Sequence, residues 1–308
     1  MAKNGRFLKK RKSEMLVYGY HSVVASLENP KRRVKNLIIS DNLPESQIKD
    51  FYNKCDKIKI LPKKEFEKIY GKFDNNQGVI LETLNLEKVD LKSELQKTKK
   101  GNSSIIIMLD HIQDPQNIGS IIRSASLFDC KNIIVAKKNS PNLNSTILKS
   151  ASGGAEVVNF ISVVNLVRTI KEIKRHGFWV VGLDEKSDYK IDEFEMPKKC
   201  LLVIGSEHSG LRDLTKKSCD YLVSIKFRKN NKLKIDSLNV ANATSIALYE
   251  YFKKINWLSF KKKIILLLIS KLTAGLAQLV EQLICNHQVE SSSPSAGTRN
   301  QTTYRPGM

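Results

Sequence analysis

Asn117, Gly119 and Arg123 fall in "DHIQDPQNIGSIIRSASLFD" (110–129), just past the apolar run "IIIML" and at the start of a helical pattern. Polar side chains placed there can do chemistry, because a strand-to-helix junction leaves backbone N–H groups free to hold a ligand. A phosphate is the usual occupant, yet neither G-x-G-x-x-G nor G-K-[ST] occurs in the chain. Two further stretches have the same character. "VIGSEHSGL" (203–211) follows a second apolar run, and "LVSIKFRKNNKLKIDSLNVANA" (222–243) is a basic loop running into a helix. "GSEHSG" does not fit the G-x-S-x-G nucleophile elbow, so His208 reads as a loop residue rather than a catalytic base. Taken singly, each stretch also reads as a capped helix start, with Asp114, Ser206 or Ser237 as the cap. Three of them in one domain favour a ligand site.

The elements that must carry these loops alternate. From Ser104 the strands are expected at "SIIIMLD", "NIIVA", "FWVVGLD", "CLLVIGS" and "DYLVSI", with helices over 118–128, 143–151, 163–176, 210–217 and 237–254. Strands this apolar, separated by helices, predict a parallel sheet covered on both faces. Ligands of such sheets gather outside the carboxyl ends of the strands, where all three loops lie. Upstream, "MLVYGYHSVVASL" (15–27) has helix-like apolar spacing at Val17, Val23, Val24 and Leu27. "VKNLIIS", "KIKILP" and "GVILETL" read as strands, with "PESQIKDFYNKC" and "KKEFEKIYG" as helices between them. This predicts a small α/β domain over 14–88, after a basic arm at 1–13 and before a Lys-rich linker at 89–103.

Charge suggests a polyanionic partner. The 308 residues hold 52 Lys and Arg against 31 Asp and Glu, a net charge of +21. Lys- and Asn-rich coding would enrich some of these residues without explaining why acids fail to balance bases, so nucleic acid is the expected partner. The five cysteines form no C-x-x-C pair and the histidines no H-E-x-x-H, which argues against a disulfide framework or zinc site. The basic N-terminus lacks the apolar stretch of a signal peptide, and "IILLLI" (264–269) falls far short of the ~20 residues that span a bilayer. A reduced, soluble, cytoplasmic protein is expected. From the residues alone, the reading stops at an α/β protein with a ligand at the sheet edge and nucleic acid nearby.

At the three loops the sequence resembles the SpoU (TrmH-type) branch of the SPOUT RNA methyltransferases. Asn117, Gly119, Arg123 and Ala125 match its first motif, N-x-G-x-x-x-R-x-A. "IGSEHSGL", with Gly205, Glu207 and Gly210, matches its second; "SLNVANA", with Ser237, Leu238 and Asn239, matches its third. "YGYHSVVASL" and "NQGVILE" (76–82) are similar, more weakly, to the small L30e-like domain of the RlmB-type enzymes that methylate guanosine in 23S ribosomal RNA. The resemblance implies an α/β SPOUT methyltransferase domain over 104–255, knotted as a deep trefoil, behind an L30e-like substrate-binding domain. Such knots are exceptions to ordinary topology, which no periodicity reveals.

The resemblance also implies S-adenosylmethionine as cofactor, 23S ribosomal RNA as substrate, a homodimer, and no metal. Its catalytic residues carry over onto Arg123, Asn117, Glu207, Ser237 and Asn239, and its cofactor contacts onto Gly205, Ile225, Leu238, Ile204, Ser206 and Gly210. A guanidinium resists deprotonation, so Arg123 is expected to bind ribose or phosphate and stabilise alkoxide charge rather than act as a base. Asn117 and Glu207 would orient it. Where the family usually has Ile-Pro-Met and a glycine, Lys226 and Phe227 follow Ile225, a departure that bears on cofactor affinity. The arm, the small domain and Lys226–Lys234 are the expected RNA contacts. A tRNA 2′-O-methyltransferase, or an RNA-binding protein that kept the fold without catalysis, are the alternatives. Residues 256–308 have no place in the family domain; 274–298 reverse-translates, with chosen synonymous codons, into segments resembling the arms of a transfer-RNA gene. It is expected to be a reading frame that ran past its ancestral stop.

Overall fold

A computed structural model describes residues 14–73, 75–98, 103–138, 140–207, 209–227 and 237–255. The expectations for the arm, for His208, for the basic loop over 228–236 and for the tail from 256 lie outside the described residues.

The small sheet comprises β1 (Glu14–Tyr18), β2 (Val34–Ser40), β3 (Ile58–Leu61) and β4 (Val79–Leu84), in the order β1-β4-β2-β3. Helices α1 (Tyr20–Glu28), α2 (Glu45–Lys54) and α3 (Lys63–Tyr70) connect them. The helix expected over 15–27 is therefore corrected. Its first residues pair as a strand, Val17 against Leu81 of β4, and only the later ones coil. Gly19, at φ +87°, separates the two, a backbone conformation that no helix interior tolerates. The expected linker holds a further helix, α4 (Leu91–Lys97). Asp90 caps it through the Ser93 amide at 3.1 Å, and its buried Leu91 and Leu95 pack among the apolar residues of the large sheet.

The large sheet is parallel throughout and runs β10-β8-β9-β5-β6-β7. Its strands are β5 (Ser104–Asp110), β6 (Asn132–Ala136), β7 (Asn159–Val163), β8 (Trp179–Leu183), β9 (Lys199–Gly205) and β10 (Tyr221–Val223). β7, "NFISV", is an addition to the strands expected from sequence: five residues, two of them polar, are too few to establish a period. Helices α5 (Pro115–Leu127), α6 (Ser145–Ala151), α7 (Leu166–Arg175), α8 (Asp213–Lys216) and α9 (240–255) cover both faces. Alternation within β5 feeds the two layers: Ile105, Ile107 and Leu109 pack on one side, Ile106 and Met108 on the other.

The pairing of β5 with β9 positions the site. Register sets Asp110 beside Gly205, so the loops that leave these two strands start side by side. On one flank the chain runs outward through β6 and β7; β8 and β10 lie on the other. The loops thus open at the point where strand order reverses, the usual crevice of such sheets.

The small sheet is fixed to the large one through α1. Ser26, Asn29 and Arg32 all hydrogen-bond the Glu156 carboxylate at the end of a 3-10 turn (Gly154–Glu156), with Arg32 Nη2 at 2.5 Å and Nε at 3.1 Å. Both partners are buried, the two side chains 0% and 5% exposed. The apolar core is continuous across this junction, from Val17, Val23 and Leu37 to Ile118, Ile147 and Leu148.

Candidate active site

Asp114 starts α5 by accepting the amides of Gln116 (3.0 Å) and Asn117 (3.3 Å), with Pro115 at the first helical position, where its missing N–H costs nothing. Asn117 is thereby held at the helix tip, nearly buried, facing the loop after β9. Its Nδ2 donates to Glu207 Oε1, and its Oδ1 accepts from Asn239 Nδ2 at 3.0 Å. Asn239 also reaches the Glu207 carboxylate at 3.5 Å, and its own Oδ1 caps α9 through the amide of Ala241 at 2.9 Å. One residue from each of the three sequence motifs therefore meets in a single hydrogen-bonded cluster.

The loop between β9 and α8 is shaped by backbone. Ser206 and Gly210 exchange two backbone hydrogen bonds, at 2.9 and 3.1 Å, closing a tight turn over Gly205. A Cβ on Gly205 would overlap the Gly210 backbone, and Gly210 itself sits at φ +65°. The turn is pinned to the first loop by Asp110, a carboxylate fully buried at the end of β5, which accepts from the Arg212 amide at 3.1 Å and from its Nε at 2.7 Å. An acid ending the apolar run "IIIMLD" was the sequence signal for this contact, and the motif pattern passes over it.

A cleft of about 460 Å³ opens beside the turn. Ile204, Gly205, Ser206, Gly210, Ile225 and Leu238, the six expected cofactor residues, all line it, as do Glu207 and Ser237. Sequence reasoning missed its acidic side. Asp184, at the end of "FWVVGLD", and Asp213 also line it, and Asp184 pairs with Lys216. Burial alone would push the Asp184 carboxyl up, but the hydrogen bond from Lys216 and the amide of Lys186 together hold it below its ordinary value. The volume suits a ligand of nucleoside size, and apolar walls with a few fixed polar groups are the usual make-up of such sites. Phe227 forms part of the wall, while Lys226 turns out to donate to the Ser187 carbonyl at 2.9 Å.

Two motif residues stand apart from this cluster. Gly119 serves packing: a Cβ there would meet Ser150 and, at 2.7 Å, the Ile147 carbonyl, so its absence lets α5 lie against α6. Arg123 is exposed, and its Nη1 donates to Ser152 Oγ at 3.4 Å. The expectation that Asn117 and Glu207 orient Arg123 does not match this geometry. Six residues along a helix turn a side chain about 120° away from the first, so Asn117 and Arg123 leave α5 in different directions.

Known proteins are similar to this chain in sequence and in fold. Residues 104–249 match the SpoU rRNA Methylase family, and residues 16–89 match the RNA 2′-O ribose methyltransferase substrate binding domain. The 23S rRNA (guanosine-2′-O-)-methyltransferase RlmB of Coxiella burnetii is 31% identical over 239 residues, covering 76% of this chain and 93% of that one. RlmB of Ralstonia nicotianae is 31% identical over 245 residues, covering 78% and 95%. The fold is also that of the SpoU methyltransferase AviRb from Streptomyces viridochromogenes, solved in complex with the cofactor AdoMet, with a TM-score of 0.65 at 24% identity over 79% of this chain and 90% of that one. With both of its sheets accounted for by matching domains, and relatives aligned over nearly their whole length, the chain belongs to the SpoU family of rRNA methylases.

Proposed function

We propose that the chain methylates the 2′-hydroxyl of a ribose, a guanosine's, in 23S ribosomal RNA, with S-adenosylmethionine as methyl donor. The observation that carries this reading is the meeting of Asn117 and Asn239 on Glu207, which itself lines a nucleoside-sized cleft. The residues present fit the cofactor. The absence of a side chain at Gly205 lets the Ser206–Gly210 turn close beside the cleft, Ile204, Ile225 and Leu238 offer apolar surface to an adenine, and Asp213 suits a cationic ligand where Asp184 is paired with Lys216. When bound, the cofactor supplies an electrophilic methyl group; the protein has only to align it and to favour the hydroxyl as nucleophile.

Asn117, Glu207 and Asn239 form a rigid frame for the ribose, since each is fixed by its neighbours or by a helix cap. Ser237, on the cleft wall, completes it. Arg123 offers a fork of donors to the ribose oxygen or an adjoining phosphate and steadies the charge that develops on O2′. Its exposed position leaves it free to serve a site completed by a second copy of the chain. Exposed apolar side chains support that homodimer: Leu127 at the end of α5 is 74% exposed, and the partly exposed Tyr249 and Phe252 of α9 pack against the ring of its neighbour Phe128. The trefoil knot, and work in the cytoplasm where ribosomes assemble, belong to the same reading. Among the described residues, no helix is long and apolar enough to cross a membrane.

Mapping of 2′-O-methyl groups in ribosomal RNA from a strain lacking the gene tests it. One 23S guanosine should lose its methyl group, and regain it on treatment with the protein and S-adenosylmethionine. Loss at a transfer-RNA position instead, or at none, overturns the reading.

A further inference from the structure

A second cleft, of about 400 Å³, adjoins the first, and the two share one wall: Ser206, Glu207 and Ser209 line both. Its other lining residues are His111, Ile112, Gln113 and Asp114, from the loop that leads into α5. We infer that this second cleft takes the base of the target nucleotide, that it selects guanine, and that Asp114 is a specificity-determining residue. The inference rests on the methyl-transfer reading above.

Geometry gives the first step. Transfer from one pocket to a ribose requires the ribose at their common boundary, and Glu207, which lines both clefts, holds Asn117 and Asn239 next to that boundary. A nucleotide whose ribose sits there must place its base in adjoining space, and an enzyme acting on one residue of folded RNA reads a splayed-out base by its hydrogen-bonding edges.

Chemistry gives the second step. The lining carries two carboxylates and neither lysine nor arginine, so a phosphate is disfavoured there and a donor-rich edge is favoured. Guanine presents two adjacent donors, N1–H and the 2-amino group, which match the two oxygens of one carboxylate. Adenine presents an acceptor at N1, which a carboxylate repels; uracil and cytosine offer one donor group each. The Asp114 oxygens each accept one backbone amide and, being carboxylate oxygens, retain a further lone pair. Gln113, exposed beside it, can donate its amide to the guanine O6. His111 takes the left-handed conformation at φ +64°, unusual for a residue with a side chain, and so fixes the loop's path at the cleft edge.

The test compares RNAs identical except that the mapped target residue is guanosine or inosine, which lacks the 2-amino group. Binding is read by fluorescence anisotropy and transfer by methyl incorporation. The full-length wild-type protein should favour the guanosine RNA by about 10-fold in both, as loss of one hydrogen bond to a charged group predicts. Asp114→Asn keeps one of the two oxygens that cap α5, and asparagine is as good a helix cap as aspartate, but it offers the base one acceptor fewer; it should bring the preference to within about 2-fold while S-adenosylmethionine affinity, measured by calorimetry, stays unchanged. Gln113→Ala should weaken both RNAs equally. Equal treatment of guanosine and inosine by the wild type, or an undiminished preference in Asp114→Asn, overturns the inference while leaving the methyltransferase reading intact. A binding preference that Asp114→Asn abolishes, without transfer by the wild type, would uphold the pocket and overturn the reading instead.

Discussion

Arg123 and Gly119 are four residues apart on one helix and belong to one motif, yet the structure sets them in different surroundings, one exposed and one packed against α6. The Arg123 guanidinium is exposed and touches Ser152 only at the limit of a hydrogen bond, 3.4 Å, so Arg123→Ala removes little packing. Methyl transfer should fall by about 100-fold or more, the range seen when one stabiliser of a developing oxyanion is lost, with S-adenosylmethionine binding unchanged in calorimetry. Arg123→Lys should recover little of it, because a point charge does not reproduce the guanidinium fork. Gly119→Ala is the reverse case. Its added methyl group runs into Ser150 and the Ile147 carbonyl, and overpacking of this kind costs about 1–3 kcal/mol, to be read as a lower urea midpoint. Asp184 gives a residue-scale test by pH. Its carboxyl is held below the ordinary value of 3.8, so the stability it contributes is complete above that value and is lost as pH falls through the depressed one. The destabilisation caused by Asp184→Asn should therefore be equal at pH 8 and pH 5 in thermal melts.

At the scale of elements, what was legible in the sequence followed what one short stretch can show by itself. Apolar runs such as "IIIML" and "LLVIG" announce central strands, and the three motifs announce loops at their ends, because neither signal needs a distant partner. Contacts between remote segments left no such mark. Glu156 reads as an ordinary acid in "SGGAEVV", and Arg32 as one of many basic residues, yet together they lock α1 to the turn after α6. β1 reads as part of a helix because Val17 fits helical spacing with Val23 and Val24; its strand partner, β4, is remote in sequence, with Val17 pairing to Leu81. Gly119 was legible as important and misleading as to why, since a glycine needed for a helix contact looks the same as one needed for a ligand. The buried pair supplies a sharp prediction. Glu156→Ala strands the Arg32 guanidinium in the core and should cost about 3–5 kcal/mol in urea unfolding. Replacing both residues with apolar ones, as in Arg32→Met with Glu156→Leu, should recover much of that loss. Equal destabilisation by the single and double variants would show that the stranded charge is not the source of the cost.

At the scale of the molecule, the excess positive charge should act on RNA binding, and the tail from residue 256 should be dispensable. Lys and Arg contacts to phosphate release counterions, so binding of the wild-type protein to 23S ribosomal RNA should weaken steeply as salt rises from about 50 to 200 mM, by about 10³-fold for roughly six phosphate contacts. The tail should matter to none of this. Family matching ends at residue 249, the last described helix runs to 255, and relatives of nearly full length are matched by about three quarters of this chain. If 274–298 derives from a transfer-RNA gene read as protein, its apolar spacing at Leu276, Leu279, Val280 and Leu283 is an accident of that gene rather than a selected helix face. A protein ending at Ile255 should then match the full chain in methyl transfer, in the salt dependence of RNA binding, and in the mass of the dimer by light scattering. A shorter protein that lost its dimer or its activity would show that the tail is a working part. The coding DNA gives the independent check: codons 274–298 must pair into acceptor, D, anticodon and T stems, and a stretch that forms no cloverleaf ends the idea whatever the truncated protein does.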